Sequence, residues 1–289
     1  MSFCTNCPRH CSRPRPGGFC GAGEQLIVAR AGLHFWEEPC ISGSRGAGTV
    51  FFAGCNLRCV YCQNYEISSR FQGKPVSQKR LREIYFELIG QGAHNIDLVT
   101  PMHYSEQVLA TLADPLPVPV VCNTNGYESP ENLRRWEGKA QVYLPDFKYS
   151  DDAAAAKYSS APDYFSVASQ AVLEMFRQRG RPRYDEQGIL QSGVVIRHLM
   201  LPGMWRNTQG VIDFIAANFG PGDVLFSLMR QYLPHGRAEE FPELMRKVTD
   251  AEYERAVNYT IDSGIEDGFL QEKSSAETEF IPVFDGSGV

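Results

Sequence analysis

Gly48-Thr49-Val50-Phe51-Phe52-Ala53-Gly54-Cys55-Asn56-Leu57-Arg58-Cys59-Val60-Tyr61-Cys62-Gln63-Asn64 is the stretch on which the reading of this chain turns. Thr49 to Ala53 is a short apolar run rich in β-formers, and it reads as a buried strand. A C-x3-C-x2-C array follows at once. Three thiolates on one short loop can hold three corners of a cubane iron–sulfur cluster and leave the fourth iron open. An open iron is of no use to a purely structural or electron-carrying site, but it is what a cluster needs if a substrate or cofactor is to bind metal. Tyr61, just before the last cysteine, can cover such a cluster on one side. A zinc site completed by a distant His or Cys, or three reduced structural thiols, are the other readings of the same spacing.

Outward from this loop the pattern is regular. Short apolar runs at 96–99, 118–122, 141–144, 193–199 and 224–228 read as strands. Between and beyond them, helical spacing of apolar residues marks Ser77 to Gln91, Tyr104 to Ala113, Pro130 to Gly138, Asp151 to Tyr158, Asp163 to Arg179 and Thr208 to Asn218. Such alternation means βα units on a mainly parallel sheet. The expected fold class is α/β, a partial, open β/α barrel of about six parallel strands. Functional groups are then expected at the C-terminal ends of the strands. Three regions follow: an N-terminal Cys-rich metal-binding segment (1–45), expected to be loop-like; the barrel (46–235); and a C-terminal extension (236–289) with one helix, Thr249 to Ser263.

The chain has 289 residues, 43% apolar and 21% charged, which is ordinary for a globular protein. Its net charge of −6 is mild and not blocked, which argues against a nucleic-acid surface. No apolar run reaches the roughly 18 residues of a membrane span. The first residues, Met1-Ser2-Phe3-Cys4, lack the basic and apolar parts of a secretory signal, so the cytoplasm is the expected compartment. Nine cysteines occur, at 4, 7, 11, 20, 40, 55, 59, 62 and 122. With no export signal, such close spacing favours metal or cluster ligation over disulfides. Cys4, Cys7, Cys11 and Cys20 could hold a second metal, zinc or iron–sulfur, in a segment too rich in Gly and Pro to order itself. Cys40 and Cys122 are expected to be structural.

The stretch Gly48 to Asn64 resembles the signature of radical S-adenosylmethionine (SAM) enzymes, in particular the glycyl-radical-enzyme activases, and within them a pyruvate formate-lyase activating enzyme-like branch. The likeness covers about residues 4–235. It implies a [4Fe–4S] cluster on Cys55, Cys59 and Cys62, with SAM chelating the open iron through its amino and carboxylate groups. Reductive cleavage of SAM would then give methionine and a 5′-deoxyadenosyl radical that abstracts a hydrogen atom from the substrate. It also implies an electron donor such as a flavodoxin or ferredoxin, and a glycyl-radical protein or other substrate. Nucleic acid and membrane are not expected partners.

Further residues carry the likeness. Asp146-Phe147-Lys148 resembles the Asp-x-Lys of the activases, with Asp146 accepting from the SAM amino group and Lys148 neutralising its carboxylate. Thr124 and Asn125 resemble a Thr-Asn-Gly that orients SAM, and Tyr61 and Asn64 flank the cluster loop. Arg197 lies in a strand that ends in Pro202-Gly203, and could bind the SAM carboxylate or a substrate backbone. Its neighbour His198 should face the other side of the strand and pack. Where the activases carry Gly-Gly-Glu-Pro, this chain reads Thr100-Pro101-Met102-His103-Tyr104, with no acid. Backbone carbonyls or Thr100 are the expected replacement acceptors, and His103 is a candidate. Modification of a small molecule or peptide is the alternative activity. A non-catalytic iron–sulfur or zinc protein is the alternative from a different class.

Overall fold

The computed structural model describes residues 4–11, 18–271 and 282–289. Its sheet is built from β1 (Leu26–His34), β2 (Ala47–Phe52), β3 (Lys74–Val76), β4 (Ile96–Val99), β5 (Val120–Thr124), β6 (Val142–Pro145), β7 (Arg183–Tyr184), β8 (Leu190–Leu199), β9 (Leu225–Met229) and β10 (Gly268–Leu270). The strand order is β10-β9-β8-β6-β5-β4-β2-β1-β3, with β7 pairing on β8. Every pairing from β2 through to β10 along that order is parallel. The six strands expected from the apolar runs are β2, β4, β5, β6, β8 and β9. They form an open α/β barrel, as expected.

Parallel strands of this kind are covered on both sides, and their residues show it. All of β2, β4, β5, β6 and β9 is buried. Helix Gln78–Gly90 turns Leu81, Ile84, Tyr85 and Leu88 inward, and Ser77 caps it by accepting from the Arg80 amide. Helices Tyr164–Arg179 and Trp205–Asn218 bury Ala168, Ala171, Val172 and Met175, and Val211, Ile212 and Ile215. Gly48 lies where any Cβ would press on Leu88, Ala93 and the Asn95 carbonyl at 3.0 Å, so that strand and helix close tightly.

Residues 26–34 correct the expectation that 1–45 is loop-like. They form β1, which runs antiparallel to β2 and also pairs with β3. The physical reason is partnership: Leu26, Val28 and Ala29 have a sheet edge to bury against, which no local pattern reports. The Cys-rich segment is therefore joined to the barrel sheet through β1. At the other end β10 extends β9, so residues beyond 236 also enter the sheet. Their helix Asp250–Asp262 starts with a full capping box between Thr249 and Glu252. No helix of the described residues is long and apolar enough to cross a membrane.

Ile96 is wholly buried in β4, whereas Ile261 is 58% exposed on the last helix. Ile96→Ala should cost about 2–5 kcal/mol in chemical denaturation. Ile261→Ala should stay within about 0.5 kcal/mol, which checks that the sheet interior carries the stability.

Candidate functional site

At Gly54 the chain leaves β2 with φ of +90°, and a Cβ there would meet the Cys20 carbonyl at 2.5 Å. Only glycine allows this exit. The cysteine loop that follows is pinned from two sides. Asn56 Nδ2 donates to the Tyr127 carbonyl (2.6 Å), and Asn125 Nδ2 donates to Asn56 Oδ1 (2.6 Å). The Val60 amide donates to the Tyr158 carbonyl at 2.8 Å.

Each cysteine sulfur of the loop accepts a hydrogen bond. Cys55 Sγ takes the Leu57 amide (3.4 Å) and Asn125 Nδ2 (3.2 Å). Cys59 Sγ takes Ser159 Oγ (3.0 Å), and Cys62 Sγ takes Ser68 Oγ (3.3 Å). Burial pushes all three thiols up, with the neighbouring sulfurs adding to the effect for Cys55 and Cys62, the latter to about 11. A metal can take the proton's place at such a sulfur, and donors aimed at sulfur suit a thiolate ligand. Tyr61 stands beside them, its hydroxyl sharing a 2.6 Å hydrogen bond with Tyr149, which in turn bonds Ser159 Oγ (2.8 Å).

All three sulfurs face a cavity of about 450 Å³, within the usual range for a ligand pocket. Tyr61, Asn64, Thr100, Thr124, Asn125, Asp146, Lys148 and Arg197 line it as well. Thr100 does so with φ of +57°, a strained setting that the hydrogen bond from its amide N–H to the Asn123 carbonyl (2.8 Å) helps to hold. His103 is not on the wall: it is buried behind Gly54, and its ring Nε2 donates to the Ala53 carbonyl at 2.9 Å. His198 is packed, as expected, with ring contacts to the Phe147 carbonyl (2.7 Å) and Thr208 (3.0 Å).

A network missed in the sequence ties the cavity wall together. Arg197 donates from Nε to Asp146 (2.9 Å), from Nη1 to Glu37 (2.7 Å) and from Nη2 to Asn123 Oδ1 (2.6 Å). Lys148 Nζ donates to the other oxygen of Asp146 at 2.5 Å. Burial would raise the Asp146 carboxyl, but Arg197 and Lys148 outweigh it and hold it below the usual range. Burial wins at Glu37, Glu38 and Asp97, whose carboxyls all rise despite Arg197. Glu37 and Glu38 follow Trp36 at the end of β1. Adjacent acids in a loop read as solvated charge, and only the folded chain brings Glu37 to Arg197.

The N-terminal cysteines sit close by. Arg9 Nε donates to the Asn56 carbonyl (2.9 Å), so this segment braces the cluster loop. Cys7 is buried, its thiol pushed up to about 12 chiefly by burial. Cys4, Cys11 and Cys20 are partly buried, and the Phe19 amide donates to Cys11 Sγ at 3.3 Å. Among the described residues no three His, Cys, Asp or Glu side chains gather as ligands of one ion. Residues 12–17, between Cys11 and Cys20, lie outside the described residues. Cys40 and Cys122 are buried and unpaired by disulfide, as expected.

Comparison with known proteins fits this geometry. The profile of a 4Fe-4S single cluster domain matches residues 42–116, which contain the cysteine loop. Solved structures share the architecture. They include Streptococcus suis SuiB bound to precursor peptide SuiA (13% identity, TM-score 0.51, 75% of this chain and 46% of that one). The FeFe-hydrogenase maturase HydG from Carboxydothermus hydrogenoformans is similar too (15% identity, TM-score 0.50, 80% of this chain and 55% of that one). Both are radical SAM proteins. This chain has the radical SAM fold. It spans about half the length of SuiB and HydG. An uncharacterized protein, MJ0674 of Methanocaldococcus jannaschii, is 29% identical over 272 residues, covering 88% of this chain and 73% of that protein.

Within this radical SAM barrel, Arg197 is the charge on which the wall depends. Arg197→Ala should cost about 3–5 kcal/mol at neutral pH, because it strands buried carboxylates. Without that partner, Asp146 would have a folded-state pKa above the unfolded one, and Glu37, already raised by burial, would rise further. The loss should therefore shrink as pH falls through those values towards about 4. Denaturation of wild type and variant across pH checks both the size and the direction.

Proposed function

We propose that the protein is a radical SAM enzyme that cleaves SAM reductively and abstracts a hydrogen atom from a peptide or protein. The observation that carries this is the cavity in which three hydrogen-bonded cysteine sulfurs share a wall with Asp146, Lys148 and Asn125. Cys55, Cys59 and Cys62 would hold the cluster, which when bound supplies the electron for SAM cleavage. Asp146 is kept ionised by Arg197 and Lys148, which suits it to accept from an ammonium. Lys148 lies in the same place to meet a carboxylate. Asn125 bridges the Cys55 sulfur and Asn56, so it fixes the loop while lining the ligand space. Tyr61, Tyr149 and Tyr164 pack as a buried aromatic layer, tied to Cys59 through the Ser159 hydroxyl.

The SuiB structure holds its precursor peptide, which supports a peptide or protein as the substrate class here. A glycine of a partner protein, as in the activases, is the specific form of that reading, with a flavodoxin or ferredoxin as electron donor. A second metal, zinc or iron–sulfur, at Cys4, Cys7, Cys11 and Cys20 is part of the same proposal, and binding it would draw together thiols that do not gather around one ion as they stand.

Anaerobic reconstitution should load about four irons on the three-cysteine loop. After reduction the protein should release 5′-deoxyadenosine and methionine from SAM, and Cys59→Ala should bind about four fewer irons and abolish cleavage. A reducible cluster that leaves SAM intact would refute the enzyme reading.

A further inference from the structure

Part of the cavity wall is left unused by the chemistry above. After β1 the chain runs Phe35-Trp36-Glu37-Glu38, and both Trp36 and Glu37 line the cavity. Trp36 keeps 62% of its surface exposed, so it stands at the rim. Glu37 is held from behind: Oε2 accepts from Arg197 (2.7 Å) and Oε1 from Asn123 Nδ2 (3.3 Å). A carboxylate offers about four acceptor sites, so this one has capacity left for a ligand.

The surroundings are short of positive charge. Arg197 divides its donors between Asp146, Glu37 and Asn123, and Lys148 is committed to Asp146. Glu38 and Asp97 stand close to Arg197 and Glu37, and each is at least nine-tenths buried. Each leaves one oxygen, Oε2 of Glu38 and Oδ1 of Asp97, without a partner among the described residues. Two cations thus face four carboxyl groups, and burial favours the neutral acid at Glu37, Glu38 and Asp97, a balance that an added cation would tip towards the carboxylate. An indole at the rim and a hydrogen-bonded carboxyl on the same cavity wall are groups that recognise a cation.

We propose that Trp36 and Glu37 form a subsite for a cationic nitrogen of the substrate, an ammonium or guanidinium such as a basic side chain presents. The proposal rests on the radical SAM reading for its notion of substrate, and SAM's own ammonium is the other source of the same chemistry. Agmatine serves as the probe, titrated calorimetrically into the reconstituted full-length protein, with SAM titrated separately. Agmatine should bind, and Glu37→Gln should weaken it by about tenfold or more. Trp36→Ala, at an exposed position where folding is safe, should weaken it as well. The affinity for SAM should change less than about threefold in Trp36→Ala, whose side chain lies outside the Arg197 network.

Equal agmatine binding by wild type and both variants, or none at millimolar concentration, overturns the proposal. So does a Glu37→Gln protein that loses SAM affinity but keeps agmatine, since the carboxylate would then serve the cofactor. A protein that holds agmatine through Glu37 yet binds no SAM supports the subsite and instead sinks the radical SAM reading.

Discussion

A set of buried acid groups, each costly to ionise without a partner, is the constraint around which this molecule is arranged. Three sulfurs and four carboxyl groups lie in or beside one cavity inside an apolar sheet, where an uncompensated anion is costly. The chain answers with few cations of its own. Arg197 and Lys148 secure Asp146, and hydroxyls and amides from Ser68, Ser159, Asn125 and Leu57 point at the sulfurs. What remains are acids that burial pushes towards neutral forms and that iron or a positively charged ligand would ionise.

The fold serves this arrangement by convergence. Asn123, Asp146 and Arg197 come from the ends of β5, β6 and β8, and the cysteines follow the end of β2, so parallel pairing alone sets them around one mouth. Glu37 enters from elsewhere, on the loop after the antiparallel β1. That one strand, lying between β2 and β3, brings both an acid to the guanidinium and an exposed indole to the rim. It also links the cysteine-rich segment to the barrel sheet.

Much of this was readable in the sequence, for reasons that differ by element. The barrel strands announce themselves because strands buried on both faces are rich in apolar residues, as Val50 to Phe52 and Val120 to Cys122 are. Cys55, Cys59 and Cys62 are legible because ligands on one short loop keep their spacing in the chain. β1 was hidden because Leu26 to His34 sits between Cys- and Gly-rich stretches, and its worth comes from the partner strands. Glu37 was hidden because its meaning depends on Arg197, 160 residues away. His103 drew notice by standing where the activases carry an acid, yet its ring turns behind Gly54 to serve the Ala53 carbonyl.

The account rests on an iron that takes its last ligand from SAM and not from the protein. Electron–nuclear double resonance on the reduced, reconstituted protein with 15N-amino-labelled SAM tests this most directly. A nitrogen coupling between the cluster and the SAM amino group is the predicted result. No coupling, with the spectrum of the cluster unchanged by SAM, would contradict it.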